Sequence, residues 1–339
     1  MTLREITKQN GLTLKQLSSS MEIPYTTLRN LSQQSIIEWD PSLIVKAAKA
    51  LEMDKKHFID AVNGDVLAPF IKWVGGKRQL LPELMKYVPI NYCNYFEPFV
   101  GGGALLWRLR PDRAFINDYN EELTNTYKVV QTNIDELVKQ LWIHQQNDSK
   151  PYYLALRSAD RDGRILKMTS VQRAARFIYL NKAGYNGLWR VNSHGQNNVP
   201  YGSHKQLNLV PKTLESDHQY LHDYPIEITT GDYRDSVSVA QKNDFVYFDP
   251  PYVPVNTTST FTTYTKNGFG LIQQKQLRDT ALVLARSGVN VMLSNSNTEL
   301  VHELYENPRF NIHHVQAMRY VNSVGKKRGK VGEVIITTY

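Results

Sequence analysis

The sequence predicts an α/β protein: a mostly parallel sheet covered by helices, carrying a helical insertion and preceded by a small all-α domain. Three observations carry that prediction. From about residue 69 onward, short apolar runs of strand length alternate with amphipathic runs of helical period. Between 120 and 225 the alternation gives way to a helical, polar-rich stretch. The first 62 residues are Leu- and Lys-rich with helical spacing and end at the asparagine, glycine and proline of "NGDVLAP", residues 63–69.

Residues 1–62 have the length of a compact helical module, 63–68 read as a linker, and 69–339 form the main domain with 120–225 as its insertion. In the main domain "NYFEPF" reads as a strand leading into a helix at "LLWRL", and "AFINDY" as a strand leading into "ELTNTYKVVQ". After the insertion comes "DFVYFDPPY", whose four apolar residues read as a buried strand. In the helix through "IQQKQLRDTALVLARSG", Leu277, Ala281, Leu284 and Ala285 share one face, and Gly288 stands at the C-terminal cap. "NVMLSNS" is a further strand, and "EVIITTY" is expected to add an antiparallel edge strand.

At 339 residues and 41% hydrophobic, the chain can bury a full core and divide into domains. No run is long and apolar enough to span a bilayer and "MTLREITKQN" has no signal core, so a cytoplasmic location is expected. Cys93 is the single cysteine, which excludes an intrachain disulfide, and no cluster has zinc-ligand spacing, so no metal is expected. His313 and His314 read as surface or packing residues. A net charge of +8 attracts polyanions, nucleic acid first among them. "GKKRGK" at 325–330 reads as a solvated loop or as a phosphate contact.

In open α/β sheets ligands bind beyond the carboxyl ends of the strands, and three strand ends here carry unusual residues. Gly101, Gly102 and Gly103 in "EPFVGGGALLW" follow a strand and open a helix, where bare backbone lets a ligand approach. Asp118 ends the next strand; it suits ribose hydroxyls, or serves as a helix N-cap. The third end is "DPPY", residues 249–252. An amino group conjugated to a heteroaromatic ring is a poor nucleophile because its lone pair is delocalised. Attack on an electrophilic methyl localises that pair and builds positive charge on nitrogen. Asp249 and the carbonyl of Pro250 are placed to accept both N–H bonds and favour that charge in the transition state. Pro250 and Pro251 fix φ and remove competing donors. Tyr252 is placed to stack on a flipped base.

From about residue 69 to the end, the chain resembles the Dam-type (D12 class) DNA adenine-N6 methyltransferases. The motifs, in that family's order, are "FIKWVGGKRQLLPEL", "EPFVGGG", "INDYN", "YLNKAGYNGLWRVNSHGQNNVPYG", "VYFDPPYVPV", "FTTYTKNGF" and "LSNSNT". The resemblance implies a Rossmann-like fold of the S-adenosylmethionine-dependent methyltransferase type and S-adenosylmethionine as methyl donor. For that donor it implies Trp73, Lys77, Phe99, Gly101, Gly103, Asp118 and Asp249. Lys77 would meet the methionine carboxylate, and Asp232 and Tyr233 in "GDYRD" would close over the donor's adenine.

The resemblance also implies double-stranded DNA as partner. "GYNGLWRVNSHGQNNVPYG" is similar to the family's recognition β-hairpin. Arg190 would read guanine O6 and N7, a contact worth about 1–3 kcal/mol of discrimination. Tyr185 and Asn186 would brace the gap left by the flipped base, Leu188 and Pro200 would make apolar base contacts, and Lys72 would meet the first guanine. Asn192 and Asn198 would position phosphates. Lys72, Leu188, Arg190 and Pro200 match members that methylate GATC, which is the expected target. The sequence departs from the pattern after "VPYG", where Ser203, His204 and Lys205 replace an expected arginine and aromatic, and at Trp189, which is bulky beside the reading arginine.

"LTLKQLSSSMEIPYTTLRNL", residues 12–31, resembles the Cro/repressor helix-turn-helix. Leu17, Met21, Ile23, Leu28 and Leu31 fit packed positions, and Tyr25, Thr26, Thr27, Arg29 and Asn30 would face DNA. Glu22 stands where glycine is usual in the turn, and Leu14 replaces a polar residue. The same leucine spacing also fits a helical module that binds a protein. Two other readings of the whole chain are a cytosine-N4 methyltransferase, since cytosine's amine poses the same electronic problem, and a DNA-binding regulator with an inactive methyltransferase fold.

Overall fold

The computed structural model describes residues 3–32, 39–53, 58, 67–204, 206–253, 269–318 and 330–339. Most of the 63–68 linker, Lys205, "FTTYTKNGF" up to its last residue, and "GKKRGK" up to its last residue lie outside the described residues. The chain forms two compact units, residues 1–68 with 212–217, and residues 69–211 with 218–339.

Among the described residues of the first unit, the helices Leu3–Gln9, Leu14–Ser20, Tyr25–Leu31 and Pro41–Ala50 contribute to a core that includes Ile6, Leu17, Met21, Leu28, Trp39, Ala47 and Phe58. The second helix starts at a capping box. Thr13 Oγ1 accepts from the Gln16 backbone N–H at 3.2 Å, and Gln16 Oε1 accepts from the Thr13 N–H at 2.8 Å. Leu14 is buried, which explains why an apolar residue stands there. Glu22 holds the left-handed turn conformation itself, with φ 55°. A side chain in that conformation costs roughly 1–2 kcal/mol that glycine would avoid. Leu17, Met21 and Leu28 are buried, Ile23 and Leu31 are half-buried against the same core, and Tyr25, Thr26, Thr27, Arg29 and Asn30 are exposed.

In the second unit seven strands form one sheet: β1 (Tyr95–Glu97), β2 (Ala114–Asp118), β3 (Ile226–Thr230), β4 (Phe245–Phe248), β5 (Asn290–Ser296), β6 (Asn311–Met318) and β7 (Lys330–Thr337). Their order is β3-β2-β1-β4-β5-β7-β6. The first five are parallel, and β7 is antiparallel to both β5 and β6. This is a Rossmann-like α/β arrangement, a mostly parallel sheet with helices in its crossovers.

The edge assignment of "EVIITTY" is corrected. β7 lies inside the sheet, paired with β5 on one side and β6 on the other, and its Val334, Ile335 and Ile336 are all fully buried. The edge is β6, where Asn311 and His314 are exposed and Ile312 and His313 half-buried. β3 was not expected either, although its buried Ile226 and Ile228 alternate with exposed Glu227 in the period of a half-buried strand.

The helix Leu271–Arg286 buries Leu277, Ala281 and Leu284 with Gln274, and Gly288 follows it with φ 80°. Everything from 119 to 225 lies between β2 and β3 and is mostly helical, with helices Glu121–Thr132, Ile134–Gln146, Lys150–Arg157 and Ser170–Ala183. Among the described residues no helix is long and apolar enough to cross a membrane, and no cluster of His, Cys, Asp or Glu could hold a metal ion.

Candidate active site

Strand order reverses at the sheet centre: from β1 the chain moves outward to β2 and β3, while β4 returns to the other side of β1 and leads to β5. Such a switch point opens a crevice beyond the strand ends. It sets the turn after β1 beside the turn after β4, so "EPFVGGG" and "DPPY" become neighbours though about 150 residues apart.

The glycine turn has a reason different from the one the sequence gives. Gly101 and Gly103 take φ of 47° and 65°. A Cβ on Gly101 would come 2.5 Å from the Trp73 indole, and one on Gly103 would come 2.8 Å from Tyr127 Oη. Tyr127 donates to the Gly101 carbonyl at 3.1 Å and Trp107 Nε1 to that of Gly102 at 3.0 Å. The space left by the missing side chains is therefore filled by aromatic residues that lock the turn. Its Gly101 N–H donates to Asp118 Oδ2 at 3.1 Å, and Asp118 Oδ1 accepts from Asn120 N at 2.9 Å. Asn120, not Asp118, caps the following helix, which removes the capping explanation for Asp118. Burial raises the Asp118 pKa, and the two amide donors oppose that rise.

Tyr233 is placed differently from the sequence expectation. Its ring is buried, stacked on Phe99 at 5.1 Å and edge-on to Phe248, which leaves little face to close over a ligand. Asp232 caps the short helix Tyr233–Val237 and pairs with Arg234 at 2.7 Å.

Around Asp249 the groups converge. Lys77 Nζ lies 2.8 Å from Asp249 Oδ1, donates to the Gly75 carbonyl at 2.6 Å, and sits 4.5 Å from the centre of the Tyr252 ring. Lys77 is thus the charge partner of Asp249 at Oδ1, and among the described residues no other donor reaches that carboxylate. Burial raises the Asp249 pKa, and Lys77 pulls it back. The Pro251 carbonyl is held by Gln274 Nε2 at 2.8 Å, whereas no donor among the described residues reaches the Pro250 carbonyl. Val253 is fixed at both ends, its N–H to Asn295 Oδ1 at 3.2 Å and its carbonyl by Ser296 Oγ at 2.6 Å. Tyr252 donates to Glu333 Oε2 at 3.0 Å. A carboxylate held by one ammonium and a carbonyl that no donor among the described residues reaches thus stand on a braced turn, next to a ring held at its hydroxyl.

Two acidic residues near this turn escaped the sequence reading. Glu333 is one, and Glu97, 2% exposed at the end of β1, is the other. Tyr95 donates to Glu97 Oε2 at 2.8 Å and Leu106 N at 3.1 Å. Burial pushes the Glu97 pKa up to about 8, with the Asp249 charge adding to the rise. The one available signal was a carboxylate inside an apolar strand. A carboxyl whose folded pKa is raised keeps its proton, so its contribution to stability is full below the usual 4.5 and is lost as pH rises through about 8. Glu97→Gln is expected to flatten the pH dependence of stability between 4.5 and 8 and to be the more stable form at pH 8, by at most a few kcal/mol. Urea unfolding of both proteins at pH 5 and pH 8 checks this, and equal slopes would contradict it.

The insertion presents the residues expected at DNA. Tyr185 is 53% exposed, Asn186 is exposed with φ 55°, and Lys72, Arg190 and Pro200 are exposed, with Leu188 half-buried. Bridges Gly184↔Tyr201 and Val191↔Asn197 close the hairpin. Arg190 Nε donates to Asn198 Oδ1 at 2.6 Å, so Asn198 aims the arginine. Asn192 is spent on the hairpin turn: its Oδ1 accepts from His194 N and Gln196 N, and its Nδ2 donates to Gln196 Oε1. Trp189 packs on Phe177 with ring centres 4.2 Å apart, which accounts for its bulk. His204, where the sequence departs from the pattern, lies 2.6 Å from Asp148 Oδ2, with Tyr179 and Tyr201 donating to the same carboxylate. That position is used internally.

Comparison with known proteins agrees with this geometry. A type II methyltransferase of Lactococcus lactis subsp. cremoris is 50% identical over 274 residues, spanning 80% of this chain and 96% of that one. A type II methyltransferase of Methanocaldococcus jannaschii is 38% identical over 290 residues, 80% of this chain and 99% of that one. The DNA adenine methylase of Escherichia coli K12 is 33% identical over 269 residues, 78% of this chain and 93% of that one. The profile of the D12 class N6 adenine-specific DNA methyltransferases matches residues 73–321, a span that begins at the Trp73 indole behind the glycine turn and contains Asp249 and the 184–201 hairpin. With that match over most of its length, the chain belongs to the D12 class of N6 adenine-specific DNA methyltransferases.

Proposed function

We propose that the chain methylates N6 of an adenine flipped out of duplex DNA, with S-adenosylmethionine as donor and GATC as target. The observation that carries this reading is the pair of oxygen acceptors on one turn beside a braced tyrosine, the Asp249 carboxylate paired with Lys77 and the Pro250 carbonyl, which no donor among the described residues reaches. An exocyclic amine has two N–H bonds to give and acquires positive charge as it attacks. Acceptors fixed before the reaction stabilise that charge without reorganising. Tyr252 offers a stacking face worth roughly 1–3 kcal/mol, against the few kcal/mol needed to unstack a base.

The residues present fit the donor. When bound, it would supply a methyl group on a sulfonium cation, and the Asp118 and Asp249 carboxyl groups with the Lys77 ammonium would be the charged groups that hold it. Asp118 at the end of β2 is placed for ribose hydroxyls. Lys77 has three N–H bonds, of which the Gly75 carbonyl takes one, so it can meet a carboxylate as well as Asp249. Phe99 and Trp73 wall the crevice.

Within the recognition hairpin, Arg190 reads a guanine, Lys72 the first guanine, Leu188 and Pro200 touch bases, and Tyr185 and Asn186 fill the emptied position. Plasmid DNA treated with the protein and donor, digested to nucleosides and weighed, should contain N6-methyladenine; N4-methylcytosine would refute the adenine assignment, and unmodified DNA would favour the inactive regulator. Restriction mapping of the same DNA with methylation-sensitive enzymes should show protection at GATC, and protection at another sequence would overturn the target.

Residues 1–62 serve, in the same proposal, as a second DNA contact through the exposed row Tyr25, Thr26, Thr27, Arg29 and Asn30. A tethered second contact raises the local concentration of the catalytic part. The double substitution Arg29→Ala with Asn30→Ala is expected to leave the rate on a short duplex unchanged. Affinity for long DNA should fall several-fold in gel-shift titration. Unchanged affinity would instead favour a protein-binding module.

A further inference from the structure

We infer that Asn181 is a positioning residue that clips together the two separate DNA-facing segments, the one carrying Lys72 and the turn carrying Tyr185 and Asn186. This inference rests on the DNA-facing roles proposed for Lys72, Tyr185 and Asn186.

Asn181 lies in the helix Ser170–Ala183 and is 0% exposed. Both of its amide protons and its oxygen are engaged. Oδ1 accepts from Lys72 N at 2.9 Å, while Nδ2 donates to Lys72 O at 2.8 Å and to Gly187 O at 2.9 Å. All three partners are backbone groups. One side chain therefore holds the main chain of the 72–77 loop from both sides and ties it to the turn that displays Tyr185 and Asn186. The two partners come close at the same place: a Cβ on Gly187 would lie 2.3 Å from Lys72 Cδ, and Gly187 has φ 66°. The turn is also pinned from behind by Tyr185 N donating to Pro200 O at 2.9 Å. Further along the same loop Trp73 packs on the glycine turn, and Lys77 is held by the Gly75 carbonyl and Asp249, so these donor-side residues have anchors of their own. Lys72 and the 185–187 turn thus have a fixed spacing to each other.

Aspartate at 181 keeps the shape but cannot donate, so the Lys72 and Gly187 carbonyls lose their partner and face a carboxylate. Gly187→Ala disturbs the same junction from the turn side without altering the helix, and it answers the question if Asn181→Asp does not fold. Each full-length variant is compared with wild type on a duplex carrying 2-aminopurine in place of the target adenine, whose fluorescence rises on eversion. Single-turnover methyl transfer to the normal duplex and equilibrium binding of S-adenosylmethionine are measured in parallel. The expected result is loss of most of the fluorescence rise and a fall of roughly 10- to 100-fold in transfer, with donor affinity within about threefold of wild type. Wild-type eversion and transfer in the variants would overturn the inference. Parallel loss of donor binding would overturn it too, since Asn181 would then be holding the fold alone. If wild type itself gave no fluorescence rise, the base-flipping reading would fail, an outcome distinct from failure of the variants to differ.

Discussion

Asp249→Ala is expected to lower methyl transfer by at least about 10³-fold while leaving duplex affinity within a few-fold of wild type. The substitution removes the buried acceptor that faces the amine and leaves the Pro250 carbonyl alone to stabilise the charge on nitrogen. It also strips Lys77 of its charge partner at 2.8 Å, so part of the loss will come from displacement of that ammonium over the Tyr252 ring. Asp249→Asn separates the two effects. Asparagine keeps an oxygen able to accept one N–H but not the negative charge, and it should fall between wild type and alanine. Single-turnover transfer of labelled methyl to a duplex measures both. Equal rates for the two variants would mean that the charge, not the acceptor, is what matters; wild-type turnover by the alanine variant would remove Asp249 from the mechanism.

Arg190→Ala is expected to erase discrimination at one base position by about 10- to 100-fold, with little change at the others. The reason is geometric. The guanidinium is exposed, and Asn198 holds its Nε at 2.6 Å, so the fork is aimed outward before DNA arrives. The side chain contacts no core, and thermal stability should stay within about 0.5 kcal/mol of wild type. Transfer to a set of duplexes, each with one base pair of the site changed, makes the comparison. A uniform loss over all duplexes would assign Arg190 to phosphate, since a backbone contact carries no sequence information.

Much of the scaffold was legible because its signals are local. The apolar run Phe245–Phe248 is a fully buried strand, and the Leu277, Ala281, Leu284 stripe is the inward face of its helix. The acidic and aromatic residues at the strand ends were recognisable because a carboxylate followed by two prolines is an unusual way to leave a sheet. What stayed hidden depends on contacts far apart in sequence. Glu333 reaches Tyr252 across 81 positions and Asn181 reaches Lys72 across 109, and nothing in the neighbourhood of either residue points to its partner. The glycine turn was found for a reason only half right: its left-handed backbone is as expected, yet its clearance admits Trp73 and Tyr127 instead of open space. β7 was misplaced for a similar reason, since a terminal strand reads as an edge until a sixth strand is known to lie outside it.

A crystal structure of the protein with a GATC duplex and a non-transferable donor analogue tests the central claim most directly, through two distances. The flipped adenine N6 should lie within about 2.7–3.2 Å of both Asp249 Oδ and the Pro250 carbonyl oxygen, with the ring on Tyr252. An everted adenine with either oxygen turned away from N6, or with its amine remote from the donor's sulfonium position, would contradict the account.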